Sequence, residues 1–141
     1  MKIELSRAEA ADVEYLLWLR QHTMVEHLER QGLFYNEAQH LARLQEHFEH
    51  AHIIWVDGVK TGLLKVLCTA RQVDIKQLQI APLQQGKGLG QAILLHLFQQ
   101  HPHKLCVLTV LKNNPALRLY QRLGFKEVGD DQYEFHMQLQ L

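Results

Sequence analysis

Three glycines at alternate positions, Gly86, Gly88 and Gly90, stand between an apolar stretch ending in Ile80-Ala81-Pro82 and the long apolar run from Ala92 to Phe98. A strand, a glycine turn and a helix in that order offer unpaired backbone N–H groups at a helix start, where the macrodipole also favours negative charge. Glycine keeps side chains off those amides and lets the turn take positive φ, so a phosphate can reach the main chain. Each glycine costs about 1 kcal/mol of helix propensity relative to alanine, which is tolerable only if the open turn gains something. The bland alternative is a merely flexible turn. Spacing narrows the ligand. A nucleotide P-loop needs Ser or Thr after its Gly-Lys, whereas Lys87 is followed by Gly88, and a dinucleotide fingerprint needs a third glycine where Gln91 stands. The strands that precede the loop also argue against a dinucleotide fold.

Gln85-x-x-Gly88-x-Gly90, following that strand, resembles the acetyl-CoA loop of the GNAT superfamily of N-acetyltransferases. Downstream, Asn113-x-x-Ala116-x-x-x-Tyr120-x-x-x-Gly124-Phe125 is similar to the second conserved block of that family. The resemblance implies acetyl-CoA as cosubstrate, its pyrophosphate held by the loop of Gln85, Gly86, Lys87, Gly88, Leu89 and Gly90. It implies a pantetheine arm laid along the backbone of Leu78 and Ile80 as an added strand would lie, with Asn113 and Ala116 on its other side. That arm needs an opening, so the strand Val73 to Ala81 is expected to part from the strand Leu105 to Leu111.

Acetyl transfer to an amine needs a neutral nucleophile and a thiolate that can leave. An alkyl amine of pKa ~10.4 is mostly protonated at neutral pH, so a base or a water chain is useful, and the thiolate profits from a proton donor. Tyr120 shares a helical stripe with Ala116 and Leu123, which by itself fits a core tyrosine as well as a donor; the resemblance makes it the donor to the CoA sulfur. Asp74 aligns with the glutamate base of the histone-acetylating branch. Where other branches hold acidic residues, this chain has Lys76, Gln77 and Gln79. The base is therefore Asp74, a water held by Gln77 or Gln79, or no dedicated residue. Non-enzymatic rivals are a CoA-binding sensor module and a nucleotide-binding switch.

The acceptor is an amine on a small molecule or a protein, and its site falls to Trp18–Glu37, where Glu26, Glu29 and Tyr35 can receive a cation between carboxylate and aromatic faces. A solvated amphipathic face is the alternative for each of them. Ten histidines include His47-x-x-His50-x-His52, but no cysteine or acidic residue completes a zinc set, and no metal is expected.

The order of elements that positions these groups gives a mixed α/β sheet with helices on both faces, and the resemblance implies that this sheet is mostly antiparallel and splayed at the cofactor. Lys2–Leu5 alternates as a strand does, and Ser6 with Glu9 fits a capping box for a helix carrying Val13, Leu16, Leu17 and Leu19 or Arg20, broken near Gln31-Gly32. Asn36 caps a further helix with Leu41, Leu44 and Phe48 on one side. Asp57-Gly58 between His52–Val56 and Val59–Cys68 is a hairpin turn. Val73–Ala81 and Leu105–Leu111 are strands, Asn114-Pro115 opens a helix that stops at Gly124, and Tyr133 to Leu141 alternates as a final strand.

With 141 residues, 47% hydrophobic, the chain is expected to form one domain over residues 1–141. Its 15 basic and 15 acidic residues balance, which disfavours nucleic acid and anionic membranes as partners. No stretch reaches the roughly 18 apolar residues of a membrane span, so a cytoplasmic protein, monomer or homodimer, is expected. Cys68 and Cys106 are expected as reduced thiols packed in strands.

Overall fold

Asp57 and Gly58 both take positive φ, 51° and 79°, the pair of values a two-residue hairpin turn demands, and they join two of seven strands. A computed structural model describes residues 1–141. Its strands are β1 Ile3–Arg7, β2 Ala51–Val56, β3 Val59–Cys68, β4 Gln72–Ile80, β5 Leu105–Leu111, β6 Lys126–Asp130 and β7 Glu134–Gln140, ordered β1-β2-β3-β4-β5-β7-β6 in one sheet. Every neighbouring pair is antiparallel except β4 and β5. The helices are α1 Val13–Thr23, α2 Val25–Arg30, α3 Glu37–Gln45, α4 Leu89–Gln99 and α5 Ala116–Arg122. None is long and apolar enough to cross a membrane.

The central strands read as nearly continuous apolar runs because both faces of the sheet are covered. On one face Leu64, Val66, Val73 and Ile75 pack with Ile93, Leu94 and Leu97 of α4 and Tyr120 of α5. On the other, Ile53 and Leu63 meet Leu16 and Leu19 of α1 and Leu44 of α3.

Two irregularities in β4 build the cleft. Lys65 lies opposite Gln77 and Val66 opposite Ile75, so Lys76 is an extra, bulged residue. The bulge reverses the alternation. Val73 and Ile75 face α4, whereas after the bulge Leu78 and Ile80 do so, and Gln77 and Gln79 turn to the face of α1 and α3. Secondly, β4 pairs with β5 only from Gln72↔Leu105 to Ile75↔Leu108. Beyond Ile75 the two strands part.

Several local details differ from the sequence reading. Glu9 N–H donates to Asp12 Oδ2 (2.8 Å), so the box is Glu9 with Asp12, and Ser6 Oγ instead accepts from Trp55 Nε1 (2.8 Å). The first helix is broken at Met24, before Gly32 ends its second half at φ 81°. Asn36 does cap α3, its Oδ1 accepting from Gln39 N–H (2.8 Å). Cys106 is buried in β5, but Cys68, at the end of β3, is exposed.

Candidate active site

Between β4 and α4 the chain makes a short 3-10 turn, Pro82–Gln84, and then the glycine loop. Gly86 and Gly88 take φ of 76° and 75°, and nothing lies within 4 Å of where a side chain on either would begin. No acceptor in the chain receives the N–H groups of residues Gly86 through Gln91, a run of free donors ending in the first turn of α4. Gln85 falls outside that run. Its N–H is given to Pro82 O (3.2 Å), and its side-chain Nε2 donates to Ile80 O (2.9 Å). The free donors therefore start one residue later than the sequence spacing suggests and extend one residue further.

This loop walls a cavity of about 340 Å³ that also touches His27, Leu78, Gln79, Ile80, Ala116 and Tyr120. Ala81 N–H donates to Thr61 O (2.8 Å), and by alternation the main-chain groups of Leu78 and Ile80 are directed away from β3, into the opening beside β5. Of these, the Ile80 carbonyl is the one already met by Gln85.

A second cavity, about 460 Å³, lies on the α1 and α3 side of the opening, walled by Arg20, Tyr35, Arg43, Lys65, Gln77 and Thr109 among others. The two meet at Met24, Leu78, Gln79, Asn114 and Tyr120. Tyr120, 6% exposed, packs edge-on to Phe125 at 5.7 Å between centroids. Burial, with the Cys106 thiol adding to it, pushes its hydroxyl up to about 12, so it stays protonated across neutral pH.

The other residues singled out from the sequence are dispersed. Asn113 is spent on α2: its Nδ2 donates to His27 O (3.2 Å) and its Oδ1 accepts from Gln31 Nε2 (3.3 Å). Asn114 stands on both cavity walls instead, while its Oδ1 accepts from Ala116 N–H (2.9 Å) to start α5. Lys87 lies on the loop with Nζ 3.5 Å from Gln84 Oε1, off both walls. Asp74 sits where β4 and β5 are still paired, bound to Lys76 (2.8 Å), and lines neither cavity. Glu26 pairs with Arg30 (2.6 Å) on the outer surface of α2, and Glu29 is likewise outside the larger cavity. Only Tyr35 of the three acceptor candidates is on its wall. The His47, His50 and His52 set makes no cluster with metal-ligand geometry.

Charge in the larger cavity has the opposite sign to that expected. Lys65, 2% exposed, donates to the carbonyls of Leu44 (2.9 Å), Glu46 (2.6 Å) and Arg43 (3.5 Å), closing the end of α3. Burial first, then Arg20, lowers its ammonium to about 8. Arg20, 4% exposed, gives its Nε proton to His40 Nδ1 (2.9 Å). Beside them, Gln79 is 3% exposed with both amide atoms unpartnered, and Gln77 Oε1 has no partner either. Sequence reading missed Arg20 and Lys65 as residues of this cavity, although a lone lysine within Leu63-Leu64-Lys65-Val66-Leu67 was a visible signal.

A family model described as an acetyltransferase (GNAT) domain matches residues 47–127, more than half of the chain and the part that holds β4, the glycine loop and Tyr120. The chain belongs to the GNAT acetyltransferases. Among solved structures it is similar to the PaiA N-acetyltransferase of Thermoplasma acidophilum in complex with coenzyme A, with TM-score 0.74, 18% identity and 100% of each chain covered. An acetyltransferase from Thermus thermophilus gives TM-score 0.78 at 18% identity, over 100% of this chain and 98% of that one. The ribosomal-protein-S18-alanine N-acetyltransferase of Escherichia coli gives TM-score 0.69 at 19% identity, over 99% and 94%. At such identities the likeness is one of fold. No protein with a curated description matches the chain in sequence. In this GNAT chain the splayed strands, the free-amide loop and the two joined cavities occupy one cleft.

Proposed function

We propose that the protein transfers an acetyl group from acetyl-CoA to a primary amine by direct attack in a ternary complex. The observation that carries this reading is the meeting of two cavities at Tyr120, one walled by free main-chain donors and the other large enough for an acceptor. A volume of 460 Å³ is in the range of small-molecule sites, roughly 300–1,000 Å³.

The donor fits the smaller cavity because the N–H groups of Gly86–Gln91 lack acceptors and run into the positive end of α4. Bound there, acetyl-CoA supplies the electrophilic thioester carbonyl. Leu78 and Ile80 offer main-chain hydrogen bonds to the pantetheine arm, and Asn114, more directly than Asn113, faces it from α5. Tyr120 gives its proton to the sulfur as the C–S bond breaks and the new C–N bond forms, and the proton lost by the amine restores the balance. That proton passes through water held at Gln77 Oε1 and the Gln79 amide and replaces the one Tyr120 gave up, since Asp74 is paired with Lys76 and off both walls. Neither cysteine lines either cavity, which favours direct transfer over an acyl-cysteine route.

Calorimetry with acetyl-CoA, paired with thiol release over a panel of amines, tests the reading. Micromolar binding with turnover of at least one amine is expected. Binding without thiol release from any amine would make the protein a CoA-binding module instead.

A further inference from the structure

Arg20 is a buried cation with no counter-ion. It sits on the apolar stripe of α1 beside Leu16 and Leu19, and its one hydrogen bond runs from Nε to Nδ1 of His40. No carboxylate lies within ion-pair distance of it, nor of Arg43 or Lys65. Burying an uncompensated charge is unfavourable, and a site that does so is set up for an opposite charge brought by a ligand.

We propose that the acceptor amine carries a carboxylate, and that Arg20, flanked by Arg43, receives that carboxylate in the larger cavity while the amine lies toward Gln79 and Tyr120. This deepens the acetyltransferase reading and rests on it.

The observations bear on each part. Arg20 is 4% exposed on the cavity wall, and its terminal nitrogens have no acceptor in the chain, leaving the planar fork that binds carboxylate through two parallel bonds. Arg43 stacks over the Tyr35 ring at 4.5 Å, which fixes a second guanidinium on the same wall. Lys65 adds positive charge, although its protons are all given to the α3 carbonyls. The carboxylates on this wall are Glu46 and Glu134, and neither pairs with these three cations; Glu29 and Glu37 line the outer pocket on the other side of Arg20. Lys76, also on the wall, is already matched by Asp74. Gln79, with both amide atoms free at the seam of the two cavities, is placed to take the N–H of the attacking amine.

Two readouts test this. In the first, amino acids and their carboxamides serve as matched acceptors in the thiol-release assay. In the second, N-acetyl amino acids and N-acetyl amino acid amides are titrated calorimetrically into the CoA-loaded protein, which removes the difference in amine basicity and needs no turnover. At least one free acid should exceed its carboxamide by about tenfold or more in each readout, because a site built for an ionised group leaves that group unpaired against the amide. Arg20→Gln should cut that preference to about threefold or less with the Kd for CoA unchanged. If Arg20→Gln fails to fold, the more exposed Arg43→Gln should lower the same preference by about threefold. Carboxamides that bind as well as their acids, or a preference that survives both variants, would overturn the proposal. Should CoA bind while no amine of the panel turns over, the acetyltransferase reading fails, and the calorimetric pairs still decide the carboxylate subsite.

Discussion

The two cavities that meet at Tyr120 are built from different material. The smaller is walled largely by main chain, with a run of free N–H groups from Gly86 to Gln91 over glycines that take positive φ. The larger is walled by side chains gathered from α1, α3, β3, β4 and β5, with buried cations at Arg20 and Lys65 and idle amides at Gln77 and Gln79. A main-chain site depends on backbone shape and recognises a group through atoms that every residue owns. A side-chain site depends on identity, so one substitution redefines what it accepts. The donor should therefore be the fixed partner of the two in chemistry, and the acceptor the adjustable one.

Tyr120 belongs to both cavities, and its loss should produce the largest effect. Tyr120→Phe is expected to lower kcat by about 10²–10³ while the Kd for acetyl-CoA stays within about threefold; an equal loss of binding would mean that the residue holds the donor rather than assisting departure. The same hydroxyl has a signature in stability. Its folded value near 12 exceeds the unfolded value near 10, so the unfolded chain loses the proton first and the folded state loses stability as pH climbs through that window. Wild type should therefore lose up to about 2–3 kcal/mol relative to Tyr120→Phe between about pH 10 and 12, read by denaturant melts at each pH. No such contribution changes below about pH 9.

Gly88→Val tests the main-chain half of the comparison. A β-branched residue is strained at φ 75°, so acetyl-CoA should bind about 10–100-fold more weakly by calorimetry, with the larger cavity undisturbed. Affinity retained in this variant would say that the loop shape is not what holds the donor. The smallest effect is expected from Asp74→Asn, within about threefold in kcat across the pH range, because the residue is off both walls. A drop of about a hundredfold on the alkaline-activated limb would instead identify Asp74 as the base.

Legibility from sequence follows the same division. The glycine loop, the Asp57-Gly58 turn, the Asn36 cap and the helix stop at Gly124 depend on residues adjacent in the chain, and each was visible as a spacing. The splay of β4 from β5 became visible only through the family resemblance. What stayed hidden depends on pairing. The bulge at Lys76 exists only relative to β3, so nothing in the run of β4 announces that Gln77 and Gln79 share a face with Lys65. Beyond the break at Met24, Leu28 of α2 lines the larger cavity while Glu26 and Glu29 lie outside it. Arg20 was read as an alternative to Leu19 on an apolar stripe, and both turned out to be buried. Its charge was therefore discounted, although it stands on the wall of the larger cavity.

The extra residue in β4 also makes the chemistry of the cleft a matter of counting. Were Lys76 instead seated opposite Lys65 as a regular ladder would have it, no side chain would be lost, yet the facing of all that follows would be exchanged: two amides would be thrust among the leucines under α4, and Leu78 with Ile80 would paper the larger cavity with hydrocarbon. The polarity of the chamber is thus encoded less by which residues β4 contains than by a single skipped beat in its rhythm.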